Sequence, residues 1–361
     1  MNFDFSDDQK NIQEQARSML AKECDSAVVR QVIDGNTGFD AKLWQQIVAL
    51  GWPATTIAEE HGGLGLSYLE LCVIATELGR SLAPVPFIAS VYLGTELIKT
   101  AASNEQQAKW LPALANGDVI STAAISGDMT SCRVKDHKLN GRKSAVLHGM
   151  IADHVIVAAT NEADELGLYL VELKHSSVSR TEQNSLDPSL PRAELIFSDT
   201  PAVALEGTIN TSQAIQTVCD RVAVLLAFEQ VGGCEAAIDM AKAYTTDRYA
   251  FGRQVASFQA IKHKMADMFV AKELAKSNAY YGAWALSANA PELALAAATA
   301  RVSAIDAYYL CSKENIQAHG RMGFTWEFDC HLYYRRAQAL STLLGGNPYW
   351  KSLLVDRLLA A

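Results

Sequence analysis

Arg248, Phe251, Gly252, Arg253, Phe258 and Gln259 fall within residues 248–259. An arginine leaving a helix beside a glycine-permitted bend can reach a diphosphate, because a guanidinium matches phosphate oxygens in a forked geometry. Glycine allows the backbone to come close. The Phe and Gln positions suit the edge of a flat ring with donors and acceptors, such as a flavin or an adenine. The same residues also read as a polar loop joining two core helices, and composition alone leaves both readings open. A second glycine-rich stretch, Glu59-Glu-His-Gly-Gly-Leu-Gly65, is flanked by acids that repel an anion, so it reads as a tight connection between helices.

The candidate carboxylates are Asp220, Glu229 and Glu327. Glu229 sits in an apolar helical segment, where an unpaired carboxylate is costly, so it is expected to face an interhelical hydrogen bond or an arginine. Glu327 is expected to order its loop through Arg335 or Arg336. His148, His319 and His331 lack metal-ligand spacing and read as solvated or hydrogen-bonded. Trp326, Tyr333 and Tyr334 read as packing residues. Seven cysteines are scattered with no C-x-x-C pair, which suggests neither a disulfide framework nor a zinc site.

The elements that must position these residues fall into three stretches. Residues 1–117 read as helical, starting at the capping box Ser6-Asp-Asp-Gln9 behind Phe3 and Phe5. Leu43, Ile47 and Leu50 recur at helical spacing before Gly51-Trp-Pro53 breaks the helix. Residues 118–205 carry short β-like runs at 119–125, 138–139, 155–159 and 168–173, with Asn140-Gly141 as a hairpin signal. Residues 206–361 return to long helical patterns: one capped by Ser212 and running past Met240, one over 258–286, one from near Pro291 that stops at Gly320, and a last over 340–359 interrupted at 345–348. Long helices with short connections imply an antiparallel four-helix bundle. The fold class is therefore mainly α with a small, β-barrel-like middle domain.

A net charge of −9 without a basic stripe argues against a nucleic-acid partner. The longest apolar run, residues 222–228, is too short to span a bilayer. With no secretory signal visible, a reduced cytoplasmic setting is expected.

The run R-x-x-F-G-x-x-x-x-x-F-Q-x-x-x-H-x-x-A-D-M over residues 248–268 resembles the signature of the acyl-CoA dehydrogenase family. Gln317-Ala-His-Gly-Arg-Met-Gly-Phe-Thr-Trp-Glu327 resembles its Q-x-x-G-G-x-G segment, in the family's order and spacing. The similarity extends over most of the chain and is weakest in the middle third. It implies FAD as cofactor, α,β-dehydrogenation of an acyl-CoA thioester, and electron transfer to an electron-transferring flavoprotein. It also implies that Arg248, Phe251, Gln317 and Gly320 contact a flavin dinucleotide held mainly by a neighbouring subunit, with Phe258 and Gln259 as further candidates for binding the cofactor. Arg321 departs from the family's glycine; it either adds a charge contact to the dinucleotide phosphate or obstructs the approach.

The middle domain departs further. Where the family has T-E-x-x-x-G-S-D and W-I-T-N-G, this chain has Ala124-Ile-Ser-Gly-Asp-Met-Thr-Ser131 and Ala145-Val-Leu-His-Gly149. Ala145 and Leu147 replace the ring-contacting Trp and Thr, leaving Ser126, Thr130 and Ser131 as substitutes. The usual catalytic glutamate falls on Leu344. A minority of the family carries its glutamate just before an arginine early in the first bundle helix, which makes Asp220-Arg221 the nearest match, although Asp220 lies two residues early. The alternative for Asp220 is a surface or first-turn acid. These departures resemble the small subunits of heteromeric acyl-CoA dehydrogenases, which implies an α2β2 assembly with a sister chain (or a homo-tetramer) acting on pimeloyl- or steroid-type CoA esters. Within that family reading, the alternative role is a non-catalytic partner that completes the FAD site of another chain.

Overall fold

The computed structural model describes residues 5–360, so Phe3 lies outside the described residues. Phe5 is buried and packs on Tyr280 and Phe228, at ring-centroid distances of 4.6 and 6.1 Å. The expected capping box is present: the Ser6 hydroxyl accepts from the Gln9 amide at 3.2 Å, and the Gln9 side chain accepts from the Ser6 amide at 2.9 Å. It starts α1 (Asp7–Glu23), followed by α2 (Ser26–Gly35), α3 (Ala41–Ala49) and α4 (Tyr68–Arg80). α3 buries Leu43, Trp44 and Ile47 and ends at left-handed Gly51, before a 3-10 turn through Pro53. A buried π-helical segment (Ile88–Thr95) leads into α5 (Glu96–Ala101) and α6 (Asn104–Ala115).

The middle of the chain forms an eight-stranded sheet: β1 (Ser121–Ala124), β2 (Cys132–Lys135), β3 (Lys138–Leu147), β4 (His154–Thr160), β5 (Leu166–Glu172), β6 (Val178–Gln183), β7 (Arg192–Pro201) and β8 (Val203–Ala204). The path runs β6-β7-β3-β2-β4-β5-β8, with β1 joined parallel to β4. Inward residues such as Val134, Leu139, Val155, Val157, Leu195 and Phe197 build its core. The hairpin signal at Asn140-Gly141 is corrected. The β2–β3 turn is made by Asp136 and His137, both at positive φ, whereas Asn140-Gly141 lies within β3 at a register shift. The asparagine is used across the sheet, hydrogen-bonding both the side chain and the backbone of Asp199.

The C-terminal third is a helical bundle: α7 (Thr211–Asp247), α8 (Gln259–Ser287), α9 (Leu293–His319), α10 (Cys330–Ser341) and α11 (Asn347–Ala360). α9 packs against α8, α10 and α11. Ser212 is not the cap of α7: Asn210 is, its side-chain oxygen accepting from the Ser212 amide at 2.9 Å. A short hairpin, β9 (Tyr249–Ala250) and β10 (Arg253–Gln254), separates α7 from α8.

The chain divides into two compact units. One comprises Met1–Arg30, Tyr68–Ala83 and Ala223–Ala361, and the other Gln31–Ser67 and Pro84–Val222. In the first, α4 and α7 cross backbone to backbone. A Cβ on Gly79 would lie 2.0 Å from the Glu229 carbonyl oxygen, and one on Gly232 1.9 Å from that of Thr76. Among the described residues no helix is long and apolar enough to cross a membrane, no group of three or more His, Cys, Asp or Glu side chains could hold a metal ion, and none of the seven cysteines is in a disulfide.

Candidate functional site

The end of α7 and the end of α9 meet through a stack that sequence reasoning misses. The Tyr244 and His319 rings lie 4.2 Å apart and nearly parallel, and Phe328 meets each edge-on at 5.7 Å. His319 is buried and donates from Nδ1 to the Asn315 carbonyl at 2.9 Å. Burial lowers its pKa, partly offset by that bond. No residue pair in the sequence signals it, because the bond goes to a backbone carbonyl that any residue at 315 would supply. At the other side, an ion pair between Lys264 and Glu314 ties the start of α8 to α9, one turn before Gln317. Arg248, one turn beyond Tyr244, therefore shares an end of the bundle with Gln317, Gly320 and Arg321.

Arg248 has a fixed backbone and a free side chain. Its amide bonds the Tyr244 carbonyl at 2.9 Å, and its carbonyl accepts from Val255 at 2.8 Å. Its side chain is exposed and makes no hydrogen bond, ion pair or ring contact among the described residues. Phe251 and Gly252 form the hairpin turn with φ of 51° and 77°, a left-handed pair that matches the strand twist. The turn leaves the Phe251 ring 96% exposed. Phe258 is half-buried: Phe251 meets its edge and the Arg253 guanidinium lies 3.9 Å over its face. As the residue before α8, Phe258 offers no side-chain cap; its carbonyl accepts from the Ile261 and Lys262 amides, and the Gln259 and Ala260 amides stay open to an acceptor. Gln259 is exposed and contacts the His263 ring nitrogen at 3.3 Å.

Gln317 is exposed and also without a partner among the described residues. Gly320 ends α9 with φ 59° and ψ −133°, a conformation for glycine. An added Cβ at Gly320 or Gly252 would meet nothing within 4 Å, so the space beside both backbones is open. The following loop is ordered differently from expectation. Glu327 is exposed and makes no ion pair among the described residues. Asp329 holds the loop instead, bonded by Arg30 at 2.6 and 3.1 Å, while Arg30 and Arg335 lie against the Trp326 ring.

The carboxylates separate by environment. Asp220 is 5% exposed and lies beyond the first two turns of α7, which excludes the surface or first-turn alternative. Gln216 donates to it at 3.2 Å. The adjacent Arg221 pairs at 3.0 Å with fully buried Glu96, which also holds Lys99 at 2.7 Å. Glu229 is buried and lies near enough to an arginine to act on it electrostatically. It steadies the charge of fully buried Arg301, whose pKa burial pulls down to about 9. Arg301 donates to Gln230 at 2.7 Å and to the carbonyls of Leu340 and Leu343. Those carbonyls lead into Leu344, which is buried and has φ 58°. A buried leucine occupies that turn, and no proton can be taken there.

In the middle domain, polar groups are spent on one another. The Thr130 hydroxyl donates to the Asp128 carboxylate at 2.7 Å, and the Ser131 hydroxyl to the Asp128 carbonyl at 2.7 Å. Buried Lys143 also donates to that carbonyl, at 2.9 Å. The Ala145 amide donates to Gln183 at 2.8 Å, and the Leu147 carbonyl accepts from Thr122 at 2.6 Å. Arg248, Gln317 and the open glycines fit the nucleotide part of FAD. Thr130 and Ser131 do not stand ready to replace the hydroxyl lost at Leu147.

Residues 6–118 match the acyl-CoA dehydrogenase N-terminal domain, and residues 213–359 match the acyl-CoA dehydrogenase C-terminal domain. Acyl-CoA dehydrogenase IpdE2 of Mycobacterium tuberculosis (strain ATCC 25618 / H37Rv) is 31% identical over 341 residues, 94% of this chain and 93% of that protein. A chain of the ChsE4–ChsE5 complex from Mycobacterium tuberculosis superposes with a TM-score of 0.90 at 22% identity, covering 100% of both chains. A chain solved with the electron transferring flavoprotein of Acidaminococcus fermentans gives 0.92 at 24% identity, again over 100% of both. At these identities the two structures establish the fold.

Proposed function

This chain belongs to the acyl-CoA dehydrogenase family, FAD-dependent oxidoreductases, and on that premise we propose that it is one subunit of an enzyme that desaturates an acyl-CoA thioester between its α and β carbons. Electrons pass on to an electron-transferring flavoprotein. The assembly is a heteromer with a sister acyl-CoA dehydrogenase-like chain, of α2β2 type, in a reduced cytoplasmic setting. Fatty-acyl or steroid side-chain CoA esters are the substrate class. The division into residues 1–117, 118–205 and 206–361 belongs to the same proposal.

One observation carries this reading: an unpaired guanidinium at Arg248 and an unpaired amide at Gln317, on one end of the bundle, beside two glycines with open space. In this proposal they grip the nucleotide of an FAD shared with the sister chain. Phe251 packs into that chain, Phe258 and Gln259 line the approach, and the leading amides of α8 favour an anion.

FAD, when bound, supplies the hydride acceptor for the β-hydrogen. The chain's own residues must remove the α-proton from a weak carbon acid, which takes a carboxylate in a dry pocket. Asp220 is the candidate, being buried and steadied by Gln216. A second reading, a non-catalytic partner, is favoured by Leu344 at the usual base position and by the self-satisfied hydroxyls of the middle domain.

Co-expression with a neighbouring acyl-CoA dehydrogenase-like chain tests the proposal. A yellow complex that bleaches with an acyl-CoA supports it; a complex of native mass that carries no FAD sinks it. Asp220→Asn in the active complex separates the two readings. A drop in turnover of about a hundredfold or more, the general-base range, supports a catalytic subunit. Unchanged turnover leaves the partner role.

A further inference from the structure

The arginines of this acidic chain are almost all occupied. Arg17, Arg30, Arg80, Arg133, Arg142 and Arg221 are in ion pairs. Others bond backbone or side-chain oxygens or lie over a ring, and Arg192 is engaged as well. Among the described residues only Arg248 and Arg321 have no partner of any kind, and both stand at the end of the bundle where α7 meets α9. Acids outnumber bases 40 to 31 in the chain, so leaving two guanidinium groups unpaired at one place needs a reason. An anion brought by something else supplies one.

We infer that Arg321 is a second anchor for the diphosphate of the shared FAD, acting with Arg248, rather than an obstruction at a position where glycine is usual. The inference rests on the proposed FAD half-site. Arg321 is exposed in the 3-10 turn Gly320–Phe324 that follows α9. α9 ends there, and a helix C-terminus carries partial negative charge that repels a phosphate. A cation one residue past the end reverses that field. Gly320, rather than Arg321, provides the close approach, since its φ of 59° turns the chain and its missing Cβ leaves the space open. Gly323 is fixed by packing, because its Cβ would lie 2.5 Å from the Ile316 carbonyl. The arginine therefore enters a turn whose two neighbouring glycines already meet the steric needs. Two guanidinium groups on one diphosphate make the half-site select a dinucleotide and make its affinity salt-dependent.

The test uses full-length protein in the assembly that purifies with FAD. Apo-assembly is titrated with FAD at low and high salt, with Arg321→Gly, Arg321→Lys and Arg248→Ala in parallel and circular dichroism confirming the fold. Removing a charge-assisted contact to phosphate is expected to weaken FAD binding roughly tenfold to a hundredfold at low salt. Arg321→Gly should show this loss, the loss should shrink as salt rises, and Arg321→Lys should recover part of it. Equal or tighter binding by Arg321→Gly, with a clear loss in Arg248→Ala, overturns the role of Arg321 and leaves the half-site standing. No loss in either variant overturns both.

Discussion

The end of the bundle and the middle sheet carry the same kinds of polar residue and treat them in opposite ways. At the bundle end, Arg248, Gln317 and Arg321 project into solvent with no partner among the described residues, on a backbone held by hydrogen bonds and by an aromatic stack around buried His319. In the middle domain, Thr130 and Ser131 of the β1–β2 loop and Lys143 of β3 all converge on Asp128. A donor that has met its partner contributes to the fold. A donor left open on a rigid support is available for a ligand. In the function proposed above, the two regions divide the half-site offered to a neighbouring chain's FAD from the stretch that stands where the family holds its own flavin ring.

The largest test of this contrast is Arg248→Ala. Losing a charged contact to phosphate should reduce FAD affinity in the assembly by about 1.5–3 kcal/mol, read by fluorescence titration, while the melting temperature of the chain stays unchanged. A fall in melting temperature without loss of affinity would erase the distinction between the regions.

Lys143→Met is the converse. The ammonium is buried and bonded to the Asp128 carbonyl, and burial lowers its pKa. Its loss should cost about 1–3 kcal/mol of stability by denaturant titration, with FAD affinity unchanged. Loss of affinity instead would mean that the sheet loop contacts the cofactor. The Ser131→Ala change, at a half-exposed hydroxyl, should cost about 1 kcal/mol at most.

The smallest effect is in pH. Burial holds His319 below its ordinary value of 6.5. As pH falls through that value the unfolded chain takes a proton before the folded one, so stability decreases on acidification until the folded histidine also titrates. His331 and His154 shift in the same direction. His319→Gln should flatten part of this slope between about pH 7 and 5, read as melting temperature against pH. An unchanged slope would remove the Tyr244–His319 stack from the account of how the bundle end is held.

Much of the fold is legible in the residues themselves. Ser6 and Gln9 announce a helix start three residues apart, and Gly320 announces a helix end, because caps are local chemistry that needs only neighbours in sequence. Asn140-Gly141 misleads because a glycine in the left-handed region serves a strand irregularity as well as a turn, and only pairing across β3 and β7 distinguishes them. Asp220 can be placed on a helix by spacing, yet its burial depends on which face meets the rest of its unit. Proximity in sequence matches Glu327 to Arg335 or Arg336, but Arg336 is buried and donates to Leu82, and Arg30 comes from far away to take Asp329 instead.

The sequence by itself determined the long C-terminal helices, the Ser6 cap, the helix end at Gly320 and the two signature blocks that place the chain in its family, since these rest on spacing and on conformations available to single residues. Tertiary structure alone decided which charged groups are spent and which are left over. Whether an arginine meets a carboxylate depends on distances between segments far apart in the chain, and only the folded molecule shows that Arg248 and Arg321 meet none among the described residues.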